Sequence, residues 1–515
     1  MTRSHVYLTT TIPYVNARPH LGHALEFVQA DVLARHYRRR GNLVRFQTGT
    51  DDNSLKNVLA AQAAGVRVQD FVDANAAAFV ALAGPLSLSV DDVIRTSSDP
   101  RHRAGVERLW QACADAGDLY RKFYEGLYCV GCEAFYNASE LDGGRCPEHG
   151  VRPQLVAEEN WFFRLSRYEG RLRDEITAGR LRIEPAGRRN EVLGFIAGGL
   201  ADFSVSRSTA RAHGWGIPVP GDPGQVIYVW WDALGNYVTA LGYGTDEANL
   251  HRWWTGAGRR IHVLGKGVLR FHAVYWPAIL ASAGLPLPTE ILVHDYLTVE
   301  GRKISKSAGT PVDPAALAAD YGTDALRWWL LRDVPRIGDT DFTRERLVSR
   351  VNDELVNGIG NLVNRVLAMV GRYRGGLVPA GHGPAPGADA LADARRRAPA
   401  LTDAALAVGD FRQATAAVWA VATEANRYIS QTEPWRLAAA ERNGDRRAGQ
   451  HLDAVLSGLV GTCRDLAGQL EPFLPDAAAR IAQRCGTPGG RVQGQRVQGQ
   501  EPIFARLRPS QPGRP

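Results

Sequence analysis

The chain has 515 residues, 45% hydrophobic and 22% charged, with a formal net charge of +7. At about 150 residues per domain, that length points to roughly three globular domains. No apolar run approaches the roughly 18 residues of a membrane helix, and the first residues, MTRSHVYLTTTIPYV, lack a hydrophobic leader; no membrane contact and a cytoplasmic location are expected.

Residues 5–12 read as a buried strand of β-branched and aromatic residues. A helix follows from about 20 to 40, with Leu21, Ala24, Leu25, Val28, Val32 and Leu33 on one face and Gly41 as its stop. Residues 44–49 form a second strand that ends in an acidic turn at Asp51. Strand, helix and strand make a βαβ unit, whose ligand crevice lies at the strand ends. Residues 55–120 read as helical. The pattern breaks over about 120–220, then strand–helix alternation resumes with VIYVWW, RIHVLG, a helix near 268–282 and EILVHDYLTV. From about 345 to 484 the apolar residues recur at helical spacing, with a Gly/Pro-rich break at 375–388. The last stretch, from 486, doubles RVQGQ and reads as unstructured.

Three places carry chemistry. At Pro19-His20-Leu21-Gly22-His23 a loop becomes a helix, where free N–H groups and the helix dipole favour anions. Two histidines three apart share a face there, and Gly22 lets a ligand approach the backbone; two ordinary surface histidines beside a turn glycine are the plain alternative. The second place is Lys303-Ile304-Ser305-Lys306-Ser307. Of 61 basic residues only Lys56, Lys122, Lys266, Lys303 and Lys306 are lysine. In a chain that replaces Lys by Arg almost everywhere, lysines mark positions that need a compact point charge, such as those facing phosphates. The third is Cys129-Val-Gly-Cys132 with Cys146-Pro-Glu-His149, a two-knuckle spacing that suits a closed tetrahedral Zn²⁺ site of structural type.

His20-Leu-Gly-His23 and Lys303-Ile-Ser-Lys306-Ser resemble the HIGH and KMSKS signatures of class I aminoacyl-tRNA synthetases. With EGLYCVGCEAFY, RNEVLGFI, WGIPVPGDP, VIYVWWDALGNY, FHAVYWPAIL and GIGNLVNR between and after them, the chain resembles the methionyl members over about residues 5–440. The resemblance implies a Rossmann-like α/β nucleotide-binding domain (1–119 and 223–344) interrupted by a zinc-bearing insertion (120–222). An all-α anticodon-binding domain (345–485) and a disordered tail (486–515) would follow. It implies methionine activation by ATP and transfer to tRNA. His20, Gly22, His23, Gly265, Lys303 and Lys306 would hold ATP, with the two histidines and two lysines catalytic. Asp51 would pair with the amino group of methionine, and Ile12, Tyr14, Trp230, Ala233, Tyr237 and His272 would line the side-chain pocket. A thioether favours such aromatic walls. Asn361, Arg365 and Trp435 would read the anticodon; core packing is the alternative for Trp435. Zn²⁺ would sit on Cys129, Cys132, Cys146 and His149, Mg²⁺ would accompany ATP, and a monomer is expected.

The crevice departs from that pattern. Asp52-Asn53-Ser54 stands for Glu-His-Gly, Gly265-Lys266-Gly267 for Gly-Lys-Asp, Val293-His294-Asp295 for Val-His-Gly, and Ile304 for Met. Two alternatives stay open: a paralogue that adenylates an amino acid for a small acceptor, and a tRNA-binding protein without catalysis. The aspartate missing at 267 would meet the adenosine ribose. Gly267→Asp is therefore expected to lower the KM for ATP in pyrophosphate exchange, with about 1.5–3 kcal/mol at stake. An unchanged KM means another group already makes that contact.

Overall fold

The structure, a computed structural model, describes residues 4–131, 134–136, 138–147, 150–304, 312–379, 386–485 and 502–508. They form two compact units: Met1–Ala83 with Leu88–His294, and Gly84–Ser87 with Asp295–Pro515. Among the described residues no helix is long and apolar enough to cross a membrane.

The first unit is built on a parallel sheet. Its strands run Asp92–Arg95, Leu43–Thr50, His5–Thr9, Arg259–Gly265, Glu290–His294 and Arg182–Glu184, every neighbour parallel. His5–Thr9 lies inside and is buried from Val6 onward, which is why it reads as a continuous apolar run rather than an alternating one. The chain grows outward from it to Leu43–Thr50 on one side, then resumes on the other side with Arg259–Gly265. That reversal creates a switch point at the carboxyl end of His5–Thr9, where open α/β sheets place ligands.

The structure corrects four expectations about elements. The helical reading of 55–120 hides the strand Asp92–Arg95, whose four residues are too few to show a period. VIYVWW is split: the strand Asp222–Ile227 ends and the helix Val229–Thr239 begins, with Val226, Ile227, Tyr228, Val229 and Trp231 all buried across the break. A fully buried helix and a buried strand give the same apolar run. EILVHDYLTV is also split. Glu290–His294 stays in the parallel sheet, while Leu297–Val299 pairs with Arg302–Lys303 and Thr340–Asp341 in the second unit. The helix expected near 268–282 starts as a 3₁₀ turn at Lys266–Val268 and a π-turn at Phe271–Tyr275 before the α-helical Trp276–Ser282.

Within the region read as an insertion, Leu119–Cys129 pairs antiparallel with Gln154–Phe163, from Leu119 opposite Phe163 to Tyr128 opposite Gln154. Ala134–Tyr136 and Phe203–Ser204 complete a four-stranded sheet. The same region also returns Arg182–Glu184 to the edge of the parallel sheet. Glu290 fixes that edge: it accepts from Arg259 Nε at 2.6 Å and Nη2 at 2.7 Å, and also from Arg182.

In the second unit, every element after Thr340–Asp341 among the described residues is helical, from Arg344–Arg350 to Pro475–Cys485. Val351–Gly360 is a π-helical stretch that leads into Asn361–Arg374. The unstructured tail expected from 486 does not hold for residues 502–508. Ile503 and Phe504 are buried, and Asn352 exchanges two 2.9 Å hydrogen bonds with the Leu507 backbone. A Cβ on Gly360 would sit 3.1 Å from the Phe504 ring, so the glycine makes room for this short apolar anchor.

Arg327 is fully buried in this unit and donates to Phe473 O at 2.8 Å and to Pro472 O and Leu86 O at 2.9 Å each. Arg327→Met removes all three donations and leaves buried carbonyls unsatisfied. A loss of about 3 kcal/mol or more is expected in chemical denaturation. A loss below about 0.5 kcal/mol would contradict the assigned role.

Candidate active site

The helix Leu21–Arg39 starts at the switch point, and its cap is made by two imidazoles. His20 is the extended N-cap, and its Nδ1 accepts from Gly22 N at 3.1 Å. His23 reaches back, its Nδ1 accepting from His20 N at 3.1 Å. This is the reciprocal capping box, with histidines in the places usually taken by Ser/Thr and Glu/Gln. The rings stack with centroids 3.8 Å apart. A Cβ at position 22 would lie 2.9 Å from His20 Cε1, so the folded-back ring requires glycine there. Since each Nδ1 accepts, each ring is neutral with its proton on Nε2. Burial, and then His20 and His294, hold the His23 pKa well below its ordinary value. The site therefore offers neutral N–H donors beside the positive end of a helix.

Glu26, on the next turn, accepts from Thr11 N at 2.7 Å and meets His294 Nε2 at 3.1 Å. It joins the loop after His5–Thr9 to the end of Glu290–His294. Sequence reasoning missed it; a buried acid on the apolar face of an otherwise regular helix was the available signal.

A second cluster lies beyond the same strand ends. Tyr14 pairs with Asp51 as an isolated parallel bridge, and Asp51 N donates to Pro13 O at 2.9 Å. Asp51 is buried, and Asn57 Nδ2 holds the carbonyls of Asp51 and Asp52 at 2.9 Å each. Trp230 meets Tyr14 edge-on, with centroids 6.2 Å apart, and stacks on Phe271 at 3.7 Å. Tyr237 OH bonds His272 Nε2 at 2.8 Å, and His272 Nδ1 bonds Val268 O at 2.9 Å. Val268 and His272 bracket the 3₁₀-to-π junction, which turns the imidazole toward Tyr237. Ile12 stands over Gly49, where a Cβ would come 2.9 Å from its Cγ2, and Ala233 is buried in the helix that carries Trp230 and Tyr237. Phe271 was not singled out from the sequence, and Lys56 was noted only as one of five lysines; its ammonium lies 4.5 Å from the centre of the Tyr14 ring.

The departures at 52 and 53 have partners here. Arg95 donates to Asp52 Oδ2 at 2.8 and 3.0 Å, and Ser97 Oγ donates at 2.6 Å. Asn53 Nδ2 donates to Asp232 Oδ2 at 2.7 Å. The other oxygen of Asp232 holds His102 Nε2, whose Nδ1 bonds Thr239 Oγ1 at 2.8 Å. Gly265 ends its strand beside the Lys266–Val268 turn that contains Gly267. In the second unit, Asp295 is buried, and its Oδ2 accepts from Gly338 N at 2.5 Å.

Of the four cysteine-knuckle positions, Cys129 and Cys146 are buried, and the Cys146 thiol is 3.7 Å from Tyr136 OH. Cys132 and His149 lie outside the described residues, as does Lys306; among the described residues no group of three His, Cys, Asp or Glu comes together as a metal site. Lys303 ends a hairpin strand, its backbone opposite Thr298. Asn361 is exposed and Arg365 half-buried, one turn apart on the same helix, and Trp435 is 42% exposed.

The family profile described as tRNA synthetases class I (M) matches residues 6–155 and 140–367. The methionine–tRNA ligase of Brucella suis is 40% identical over 503 residues, 96% of this chain and 94% of that one. That of Clostridium perfringens is 37% identical over 518 residues, covering 98% of this chain and 79% of that one. The Mycobacterium tuberculosis methionyl-tRNA synthetase in complex with methionyl-adenylate superposes with a TM-score of 0.92 at 36% identity, covering 97% of this chain and 99% of that one. Its apo form gives 0.86 at 33% identity, covering 99% of each chain.

His272 is fully buried, and burial holds its pKa down to about 4; burial also lowers His23 and His262. The unfolded chain takes up protons below about pH 6.5 that the fold refuses, so stability falls as pH drops from 6.5 toward 4. His272→Gln is expected to flatten that decline in thermal unfolding midpoints. An unchanged slope would show that His272 titrates normally in the fold.

Proposed function

The chain belongs to the class I methionyl-tRNA synthetases, and from that premise we propose how its residues join methionine to tRNA. The methionine carboxylate attacks the α-phosphorus of ATP, giving methionyl-adenylate and pyrophosphate. A terminal ribose hydroxyl of the tRNA then attacks the adenylate carbonyl, releasing AMP. The protein positions the reactants and stabilises phosphate charge.

The observation that carries this reading is the imidazole cap at the switch point. Each ring spends its Nδ1 on the backbone, which leaves Nε2–H as a fixed donor. A neutral donor adds no full charge to a site already next to a helix start, so it can stabilise a developing oxyanion without trapping the product. His20, Gly22, His23 and Gly265 hold the ATP phosphates in this proposal, and Lys303 and Lys306 neutralise the departing pyrophosphate. Asp51, held by its bridge to Tyr14, pairs with the substrate ammonium. Ile12, Tyr14, Trp230, Ala233, Tyr237 and His272 enclose the thioether. The Tyr237–His272 bond fixes the pocket's polar end, and the Trp230–Phe271 stack fixes its flat wall.

Residues 345–485 bind the anticodon in the same proposal, with Asn361, Arg365 and the exposed indole of Trp435 suited to unstacked bases. Cys129, Cys132, Cys146 and His149 hold a structural Zn²⁺; the two described thiols, both buried, fit a soft-donor set. Bound zinc would close the hairpin and take no part in catalysis. Mg²⁺ enters with ATP.

Methionine-dependent ATP–pyrophosphate exchange, followed by charging of a tRNA with a CAU anticodon, tests the function; both are expected. Exchange without charging would instead favour transfer to a small acceptor. Lys306→Ala is expected to slow exchange by about 10²-fold or more. Elemental analysis should find about one zinc per chain, lost in Cys132→Ser.

A further inference from the structure

Two cysteines stand outside the function given above. Of the six in the chain, Cys129, Cys132 and Cys146 belong to the proposed zinc site, and the Cys113 thiol is spent on Ile279 O at 3.7 Å. Cys463 and Cys485 lie in the second unit, on its last two described helices, Arg446–Leu470 and Pro475–Cys485. Leu459, Cys463, Leu466 and Leu470 are buried along the first helix, and Ala478, Ile481 and Cys485 along the second. Spacings of three and four put each set on one face. The two helices pack against each other, so these faces form a seam with a sulfur on each side.

The seam brings the two sulfurs into direct contact. Cys463 and Cys485 are hydrogen-bonded through their side chains, and both are buried. Arg464, the residue after Cys463, donates from Nε to the Cys485 carbonyl, which pins the end of one helix beside the thiol of the other. Its Nη2 is buried without a partner. A helix C-terminus disfavours an anion, and a guanidinium placed there offsets that and suits an anionic sulfur. The bond from Cys463, with Arg464 and Arg484 nearby, lowers the Cys485 pKa against the effect of burial; the same bond and burial raise that of Cys463. One sulfur is thereby prepared to attack, while the other keeps its proton. The isolated Cys113 differs: burial pushes its thiol up to about 12.

We propose that Cys463 and Cys485 are a reversible redox pair, oxidised by hydrogen peroxide to a disulfide that clasps the last helix to its neighbour. The Cys485 thiolate attacks one peroxide oxygen and the O–O bond breaks. The leaving hydroxide takes up the Cys485 proton as water, and Cys485 becomes a sulfenic acid. The Cys463 sulfur attacks the sulfenic sulfur, the S–O bond breaks as the S–S bond forms, and the departing hydroxide takes the Cys463 proton as a second water. Two thiols lose two electrons and one peroxide gains them. Cys485 is the last residue of its helix, and helix ends fray, so a small oxidant reaches it without unfolding of the unit. The helix so fastened has other work. Its Arg480 donates from Nη2 to Asp324 Oδ2 at 3.1 Å and to Ile503 O at 3.4 Å, so it holds both Thr323–Arg332 and the anchor at 502–508.

The test takes the full-length enzyme, oxidises it with hydrogen peroxide and alkylates it without reduction. Peptide mapping is expected to find the Cys463 and Cys485 peptides joined and two hydrogens lighter than their sum, with dithiothreitol releasing them. The thermal unfolding midpoint of the oxidised enzyme is expected to rise by about 5 °C or more and to return on reduction, and Cys485→Ser is expected to abolish the rise. Alkylation of both thiols after oxidation would overturn the proposal, and that readout requires no variant to fold. Cys485 carried on to a sulfinic acid while Cys463 stays alkylatable would overturn it too. A joined pair with an unchanged midpoint would overturn the clasp. None of these measurements involves methionine, ATP or tRNA, so their failure is distinct from a failure of the proposed function.

Discussion

The first unit's chemistry hangs on where the sheet reverses direction. A parallel sheet leaves its strand ends lined by loops, and the reversal beside His5–Thr9 opens a gap between those loops. The helix Leu21–Arg39 must begin in that gap, with its first N–H groups uncovered. The cap then decides what the gap can do. A Ser or Asp cap would satisfy the backbone and end there. Imidazoles satisfy it with one nitrogen and present the other, so the device that stabilises the helix also carries the donors. Gly22 and Glu26 serve the same arrangement: one leaves room for the His20 ring, and the other ties the helix to the neighbouring loop and strand.

The parts of this arrangement legible in the sequence were those set by local rules. The βαβ start, the helix stop at Gly41 and the pair His20/His23 all follow from spacing within a few residues. The lysine-poor composition also singled out Lys303 and Lys306, of which Lys306 lies outside the described residues and Lys303 is seen as the end of a hairpin strand. What could not be read depends on partners far along the chain. Asp92–Arg95 is a strand because Gln47–Thr50 offers it an edge, not because its own sequence insists. Arg182–Glu184 joins the sheet through Glu290, more than a hundred residues away. The stack of Phe271 on Trp230 requires the π-turn, which adds a residue to the helix and shifts the period that sequence patterns rely on.

The substituted positions show how such distant partners change the meaning of a local stretch. Read alone, Asp52-Asn53-Ser54 looks like erosion of a family signature. In the fold, Asp52 is the acceptor for Arg95 and Ser97, so its charge is matched. Asn53 supplies an amide to Asp232, whose other oxygen already orients His102. Ser54 caps the next helix by accepting from Lys56 N at 3.1 Å. All three side chains serve to hold the wall on which Asp51 and Tyr14 are mounted.

That wall explains why polar groups are tolerated so deep in the first unit. Tyr7, Gln47, Asn236, Asp232, His102 and Thr239 are all buried, yet they link strand to helix through side-chain bonds such as Gln47 Nε2 to Asn236 Oδ1 at 2.7 Å. An apolar core of the same volume would cost less desolvation but would leave Tyr237 and Trp230 free to slide by packing alone. A network in which each group has one geometry fixes the helix Val229–Thr239 in rotation as well as in position. Rotation is what matters to the pocket, because Trp230, Ala233 and Tyr237 lie on one helical stripe. A small turn of that stripe would move the aromatic wall, the space beside Ala233 and the Tyr237 hydroxyl together. Those three keep their register only while the rotation is fixed, so the buried polar network holds the stripe in place from behind.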